Sequence, residues 1–186
     1  MAHDAAQAPP VFLEALASLG RARTRGDVTL VETAAPGRIA PYAAAIDGEV
    51  ISDEGSASGR FVLLHDPDGQ EAWEGDFRIV TVVRAQVDVE VGGDDLWSDV
   101  AWSWLTDSLE DTPARAVAGT VTKTHSRSFG ALAERPEEVQ VEMRVSWTPH
   151  DNDLEPHIVA WANLLAMSAG LPPVPHGVSM LPGAAQ

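Results

Sequence analysis

The sequence predicts an α+β fold, an antiparallel β-sheet with helices packed on one face. Two long stretches, Phe77 to Val91 and Val139 to Trp147, alternate apolar and polar residues with the period of a strand. Apolar residues recur at helical spacing near the start, the middle and the end of the chain. Glycine and proline clusters punctuate these segments without a long linker, so a single domain is expected over residues 9–170.

In chain order, residues 1–8 read as a flexible N-terminal tail. A first helix starts at Pro9 or Pro10, because proline is tolerated in a first turn, and places Phe12, Ala15, Leu16 and Leu19 on one face. Val28, Leu30 and Val31 form a short strand, Pro36-Gly37 a turn, and Tyr42 to Ile46 a second extended segment. Asp53 to Gly59 is expected as a polar loop and Phe61 to Leu64 as a strand. Asp66-Pro67-Asp68-Gly69 signals a tight turn, since proline presets φ and glycine accepts positive φ. The strand from Phe77 follows, two-sided around Val80 and Val82 and so expected to be covered on both faces there.

Gly92-Gly93 ends that strand, and Asp94 or Asp95 can cap a helix whose apolar side carries Trp97, Val100, Ala101, Trp104, Leu105 and Ser108. Val117 to Phe129 and Val139 to Trp147 should form a hairpin, with Thr120, Thr122, Thr124, Ser126 and Ser128 sharing a face. After Pro149, Asp151 or Asp153 can cap a last helix with Leu154, Ile158, Trp161, Leu165 and Ser168 on its core side. Gly170 falls at the C′ position, and residues 171–186 read as a Pro/Gly-rich C-terminal tail. The expected order is α-β(3-4)-α-β-β-α. In that order alone the chain resembles type III secretion chaperone-like proteins, which are small, acidic and dimeric.

The chain has 186 residues, 28 acidic against 12 basic, and a formal net charge of −16. Such a balance argues against nonspecific binding to nucleic acid or anionic membrane, which needs clustered cations. Zero cysteines exclude disulfides, thiolate metal sites and thiol catalysis. The N-terminus lacks a basic region followed by an apolar core, and the apolar run Ile158 to Leu171 is shorter than the roughly 20 residues of a membrane span. A cytoplasmic protein is expected. Residues 39–113 hold 17 of the 28 acids and three of the 12 bases, so the charge is concentrated there.

Candidate chemistry is sparse. His150 and His157 flank an Asp-rich stretch, but Pro149 and Pro156 break any single helix bearing both, and a capped helix start is the better reading. His65 to Gln70 lacks the acidic positions of a calcium loop. His125 and Ser126 are adjacent on a strand and point to opposite faces, so they make a poor nucleophile pair. Thr122 to Ser128 is a polar, cationic strand with Arg127 as its best anion donor. No nucleotide fingerprint, phosphate loop or nucleophile elbow occurs. No catalytic residue, metal ligand or cofactor is therefore assigned. The last helix carries Val159, Ala160, Ala166 and Met167 around Asn163 on its outer side. A helix apolar nearly all round is buried on both sides, so Val159, Asn163, Ala166 and Met167 are expected at a subunit interface.

Four stretches, Arg38-Ile39-Ala40-Pro41-Tyr42, Leu63 to Gly75, Val100-Ala101-Trp102-Ser103-Trp104-Leu105 and Ala169-Gly170-Leu171-Pro172-Pro173, resemble the actinobacterial domain-of-unknown-function family 3000. The resemblance implies no activity and transfers no catalytic residue. Genes of that family often neighbour a ribonuclease D-like exonuclease gene, so the resemblance implies at most an indirect link to RNA metabolism. Arg38, Tyr42, His65, Asp66, Asp68, Trp73 and Trp102 from these stretches, with Arg127 from the cationic strand, are the candidate binding residues. The leading reading is a non-catalytic, dimeric binding or adaptor module. The alternative is a small-molecule-binding protein or enzyme with a site near His65, Arg127 and His150.

Overall fold

The computed structural model describes residues 8–87, 89 and 97–173. The elements are α1 (Pro10–Arg21), β1 (Thr29–Thr33), β2 (Tyr42–Ile51), β3 (Ser56–Gln70), β4 (Gly75–Val87), α2 (Trp97–Ser108), β5 (Ala114–Ser126), β6 (Glu138–Pro149) and α3 (Glu155–Ser168). The strands form one six-stranded antiparallel sheet in the order β1-β2-β3-β4-β6-β5. The α+β class and the β5–β6 hairpin stand as expected, with four strands before the middle helix. Both tails, Gly92-Gly93, the capping Asp94 or Asp95 and the end of the Phe77–Val91 strand fall wholly or largely outside the described residues, as does the side chain of Trp97.

Alternation sorts each strand into two faces. Phe77, Ile79, Val83 and Ala85 of β4 join Val141, Met143, Val145 and Trp147 of β6 in the main core. The same core takes in Phe12, Ala15 and Leu19 of α1, Ala101 and Leu105 of α2, and most of α3. All three helices therefore cover one face of the sheet and leave the other open.

Helix α3 is the centre of the helical layer, packing on β2, β3 and β4 and touched by both α1 and α2. Its Trp161 and Leu165 approach the cross-strand pair Gly48–Gly59 so closely that a Cβ on Gly48 would lie 2.7 Å from Leu165 Cδ1 and 2.8 Å from Trp161 Cη2. Phe61 tilts against Trp161 with ring centroids 5.7 Å apart. Ser18 of α1 accepts the Leu154 N–H at 2.8 Å and donates to the Ala15 carbonyl at 2.7 Å, tying α1 to the start of α3. Gly170 adopts φ 84°, and the Leu171 N–H reaches the Ala166 carbonyl while the Gly170 N–H reaches Met167. That is the expected glycine stop in its Schellman form.

Several expectations need correction. Asp66-Pro67-Asp68-Gly69 does not reverse the chain. It forms an irregular stretch of β3 in which Asp66 accepts the Asp68 N–H and the Gln70 side-chain amide, and the reversal comes at a 3-10 turn over Glu71–Trp73. The local turn signal was spent on a bulge because Asp66 satisfies the backbone within the strand. The loop expected over Asp53–Gly59 shrinks, since β3 begins at Ser56. Val100 of α2, expected in the core, is 41% exposed. Neither aspartate makes a side-chain hydrogen bond as the N-cap of α3; Leu154 is the cap residue, while Asp153 accepts the Glu155 N–H at 3.3 Å.

Candidate functional site

The uncovered face is built by the second set of alternating residues. Register places Ser58, Arg60, Val62 and Leu64 of β3 beside Arg78, Val80, Val82, Arg84 and Gln86 of β4. The matching row of β6 is Gln140, Glu142, Arg144, Ser146 and Thr148. Over these positions the central strands offer Arg60, Arg78, Arg84 and Arg144 against one carboxylate, Glu142. The neighbouring row of β5 is Thr120, Thr122, Thr124 and Ser126, so the shared Thr/Ser face expected within β5 belongs to this open side.

The charges form two clusters. Arg60 grips Asp47 of β2 at 2.6 and 2.8 Å, and this contact holds the Asp47 carboxyl below its ordinary range and Arg60 above its own. Glu142 lies between Arg144 at 2.5 Å and Arg84 at 2.6 Å, and these guanidinium hydrogen bonds, Arg144 first, hold its carboxyl low. Side chains of Arg60, Arg84 and Arg144 keep 45%, 47% and 64% exposure, so each can still reach an incoming anion.

Two hollows open on this face. One of about 630 Å³ lies over the backbone of Gly48 and Gly59, between Asp47, Glu49, Arg60 and Arg84. The glycine pair that admits Trp161 from the helical side thus floors a depression on the other. A smaller hollow of about 310 Å³ lies over Val80, Ala118 and Ser146 beside Arg144. At one end the face is closed by a second apolar cluster of Ala45, Val62 and Leu64, on which Trp73, Ala35, Ala40 and Ala43 pack.

The family described as protein of unknown function (DUF3000) matches residues 8–179. The chain belongs to this family. No curated protein and no solved structure matches it, so the likeness to type III secretion chaperones rests on element order alone.

The DUF3000 fold scatters the residues picked from sequence. His65 is 1% exposed on the helix-covered side, where it stacks with Phe77 at 4.3 Å, neighbours Phe12 and Tyr42, and donates from Nδ1 to the Asp76 carbonyl at 3.1 Å. It and Tyr42 are brought together as core. Asp66 and Asp68 stay within their bulge, and Arg38 is exposed in the β1–β2 loop at φ 69°. Trp73 packs on the opposite face from His65, and Trp102 lies against Gly119 of β5. Arg127 follows β5, ion-paired to Glu137 at 3.0 Å and 5.6 Å over the Phe129 ring. His150 follows β6, at the other end of the β5–β6 ladder. His65, Arg127 and His150 do not converge, and none lines either hollow. Ala166 and Ala160, placed on the outer side of α3, are buried by the chain's own packing at 0% and 4% exposure. Val159, Asn163 and Met167 remain half-buried as the outer line of that helix. Among the described residues no cluster of three metal-capable side chains occurs, and no helix is long and apolar enough to cross a membrane.

Sequence reasoning missed the arginines of the open face. The signal was present in the alternation of Arg78 and Arg84 with the core residues of β4. The net charge hides it, because residues 39–113 hold 17 acids against three bases.

Proposed function

We propose that this DUF3000 protein is a non-catalytic cytoplasmic module that binds an acidic segment of a protein partner along the uncovered face of its sheet. The carrying observation is the cluster of Arg60, Arg78, Arg84 and Arg144 on the central strands of that face, with Glu142 between Arg84 and Arg144 and with Asp47, Glu49 and Glu138 around them, in a chain of net charge −16. Arginine recognises carboxylates through its planar fork, which favours a peptide of Asp and Glu. The hollows are shallow and open, which suits docking better than chemistry requiring water exclusion. Single-stranded RNA would call for aromatic stacking platforms, and the strand positions of this face carry Val, Leu, Ser, Thr, Gln, Arg, Asp and Glu instead.

Fluorescence anisotropy with a labelled oligo-glutamate peptide tests this, with oligo-lysine and oligo-uridine as comparisons. The oligo-glutamate should bind, weaken as salt rises, and lose several-fold affinity in Arg84→Gln/Arg144→Gln while the melting temperature holds. No binding, or tighter binding of the RNA, overturns the reading. A second copy is the competing partner, supported by the accessible line Val159, Asn163 and Met167 on α3. Light scattering at micromolar concentration separates the two: a dimer abolished by Met167→Glu would favour self-association.

A further inference from the structure

We propose that Arg78, Arg115, Ser146 and Thr148 form a binding site for a phosphate monoester at one end of the open face. The proposal deepens the binding-face reading and rests on that face being the one a ligand approaches.

Arg78 is only 8% exposed, yet its guanidinium meets two neutral hydroxyls, Thr148 Oγ1 at 3.0 Å and Ser146 Oγ at 2.7 Å. No carboxylate of the described residues lies within 4.0 Å of it. A buried guanidinium without a counter-ion is costly, and proteins ordinarily pair it. Burial pushes Arg78 below its ordinary pKa, with the Glu74 charge opposing. Guanidinium nevertheless stays protonated in proteins.

Arg115 is the cross-strand partner of Thr148 on β5, so Thr148 stands between the two arginines. Its Nε–H is buried without an acceptor, and it too has no carboxylate partner among the described residues. A Cβ on Gly75 would lie 3.0 Å from Arg115 Nη2 and 3.1 Å from Thr148 Cγ2, so the glycine leaves this guanidinium room. The aim of Arg115 is set by a bulge: β5 slips register between Arg115 and Ala118, and Ala116 takes φ 49°. A non-glycine residue in that region costs about 1 kcal/mol, and bulges re-aim side chains beside functional sites.

Ser146 is the member of the site that meets open space: it lines the 310 Å³ hollow together with Ala118, Val80, Thr120 and Arg144, and Arg78 lies behind it. Ser146 accepts from Arg78 and keeps its own hydroxyl proton to give, whereas Thr148 donates to the Trp73 carbonyl. Two guanidinium groups with no carboxylate within 4.0 Å among the described residues match a phosphate monoester, which carries about −1.5 to −2 at pH 7 and three acceptor oxygens. A single carboxylate would leave one cation unpaired. The phosphoryl group could belong to a phosphorylated side chain of a partner or to a small sugar phosphate, and the chemistry of recognition is the same.

Isothermal titration calorimetry on the full chain at fixed ionic strength tests the site, with inorganic phosphate as probe. Arms with a phosphoserine peptide and glucose 6-phosphate identify the source by which binds more tightly, and acetate is the carboxylate control. Saturable phosphate binding is expected, at least tenfold weaker in Arg115→Gln, weaker in Ser146→Ala, and unchanged in Arg23→Gln on the exposed α1–β1 connection. Arg115 is half-buried, so its variant keeps the test usable even if Arg78→Gln does not fold. Absence of saturable binding in all three phosphate arms, indifference to Arg115→Gln, or acetate binding as tightly as phosphate overturns the proposal. If phosphate fails while oligo-glutamate still binds, the phosphoryl site falls and the sheet-face reading survives.

Discussion

The indole N–H of Trp147 donates to Nδ1 of His157 across 3.0 Å, and both side chains are almost fully buried between β6 and α3. Accepting at Nδ1 keeps the imidazole neutral, with its proton on Nε2. The histidine that sequence grouped with possible metal ligands is thus a fixture of the core.

The burial of His157 makes stability fall in mild acid. Burial lowers the His157 pKa from 6.5 to about 4, against the opposing charges of Asp151 and Asp153. Above pH 6.5 the ring is neutral folded and unfolded, so it contributes no slope. Between 6.5 and 4 the unfolded chain takes up a proton that the folded chain refuses, so stability drops as pH falls, by ~3 kcal/mol in full. Denaturant titrations at pH 7.5 and 5 should show the loss, and His157→Asn should flatten it. A wild-type curve flat over this window would contradict the assignment.

The glycine pair should tolerate no side chain. A Cβ on Gly48 meets Trp161 and Leu165, and one on Gly59 meets the Val82 carbonyl as well as both of those side chains. Gly48→Ala should cost about 1–3 kcal/mol by overpacking. Gly59→Ala should cost more, because a backbone carbonyl cannot swing aside. Urea midpoints measure both, and pairing Gly48→Ala with Leu165→Ala should recover part of the loss.

Removing the carboxylate between Arg84 and Arg144 should strengthen binding. Glu142→Gln frees Arg84 and Arg144 from their internal partner. It should raise affinity for oligo-glutamate several-fold while costing under about 1 kcal/mol of stability, since the pairs are solvent-exposed. Anisotropy and thermal melts read the two effects separately.

Ser18→Ala should loosen α1 from α3. The change strands the Leu154 N–H, for which Ser18 is the acceptor, and a buried unsatisfied donor costs about 1–3 kcal/mol. Hydrogen exchange should show faster protons at the start of α3 as well as in α1. An effect confined to α1 would mean the tie is unimportant.

Local chemistry determined most of this architecture. Alternation in Phe77–Val87 and Val139–Trp147, the proline start of α1 and the Gly170 stop of α3 act within a few residues, so they can be read without the fold. The last helix is apolar nearly all round, and α1 and α2 flank it within the chain, while Val159, Asn163 and Met167 stay half-buried on its outer line. The choice between a neighbour in the same chain and a second copy is not written in helical periodicity. Nor is the open face. Arg60, Arg78, Arg84, Arg115 and Arg144 lie far apart in sequence, and the segment holding the first three, residues 39–113, has 17 acids against three bases. Only cross-strand register, which sets residues of distant strands side by side about 5 Å apart, gathers those arginines on one sheet face, two of them with no carboxylate within 4.0 Å among the described residues.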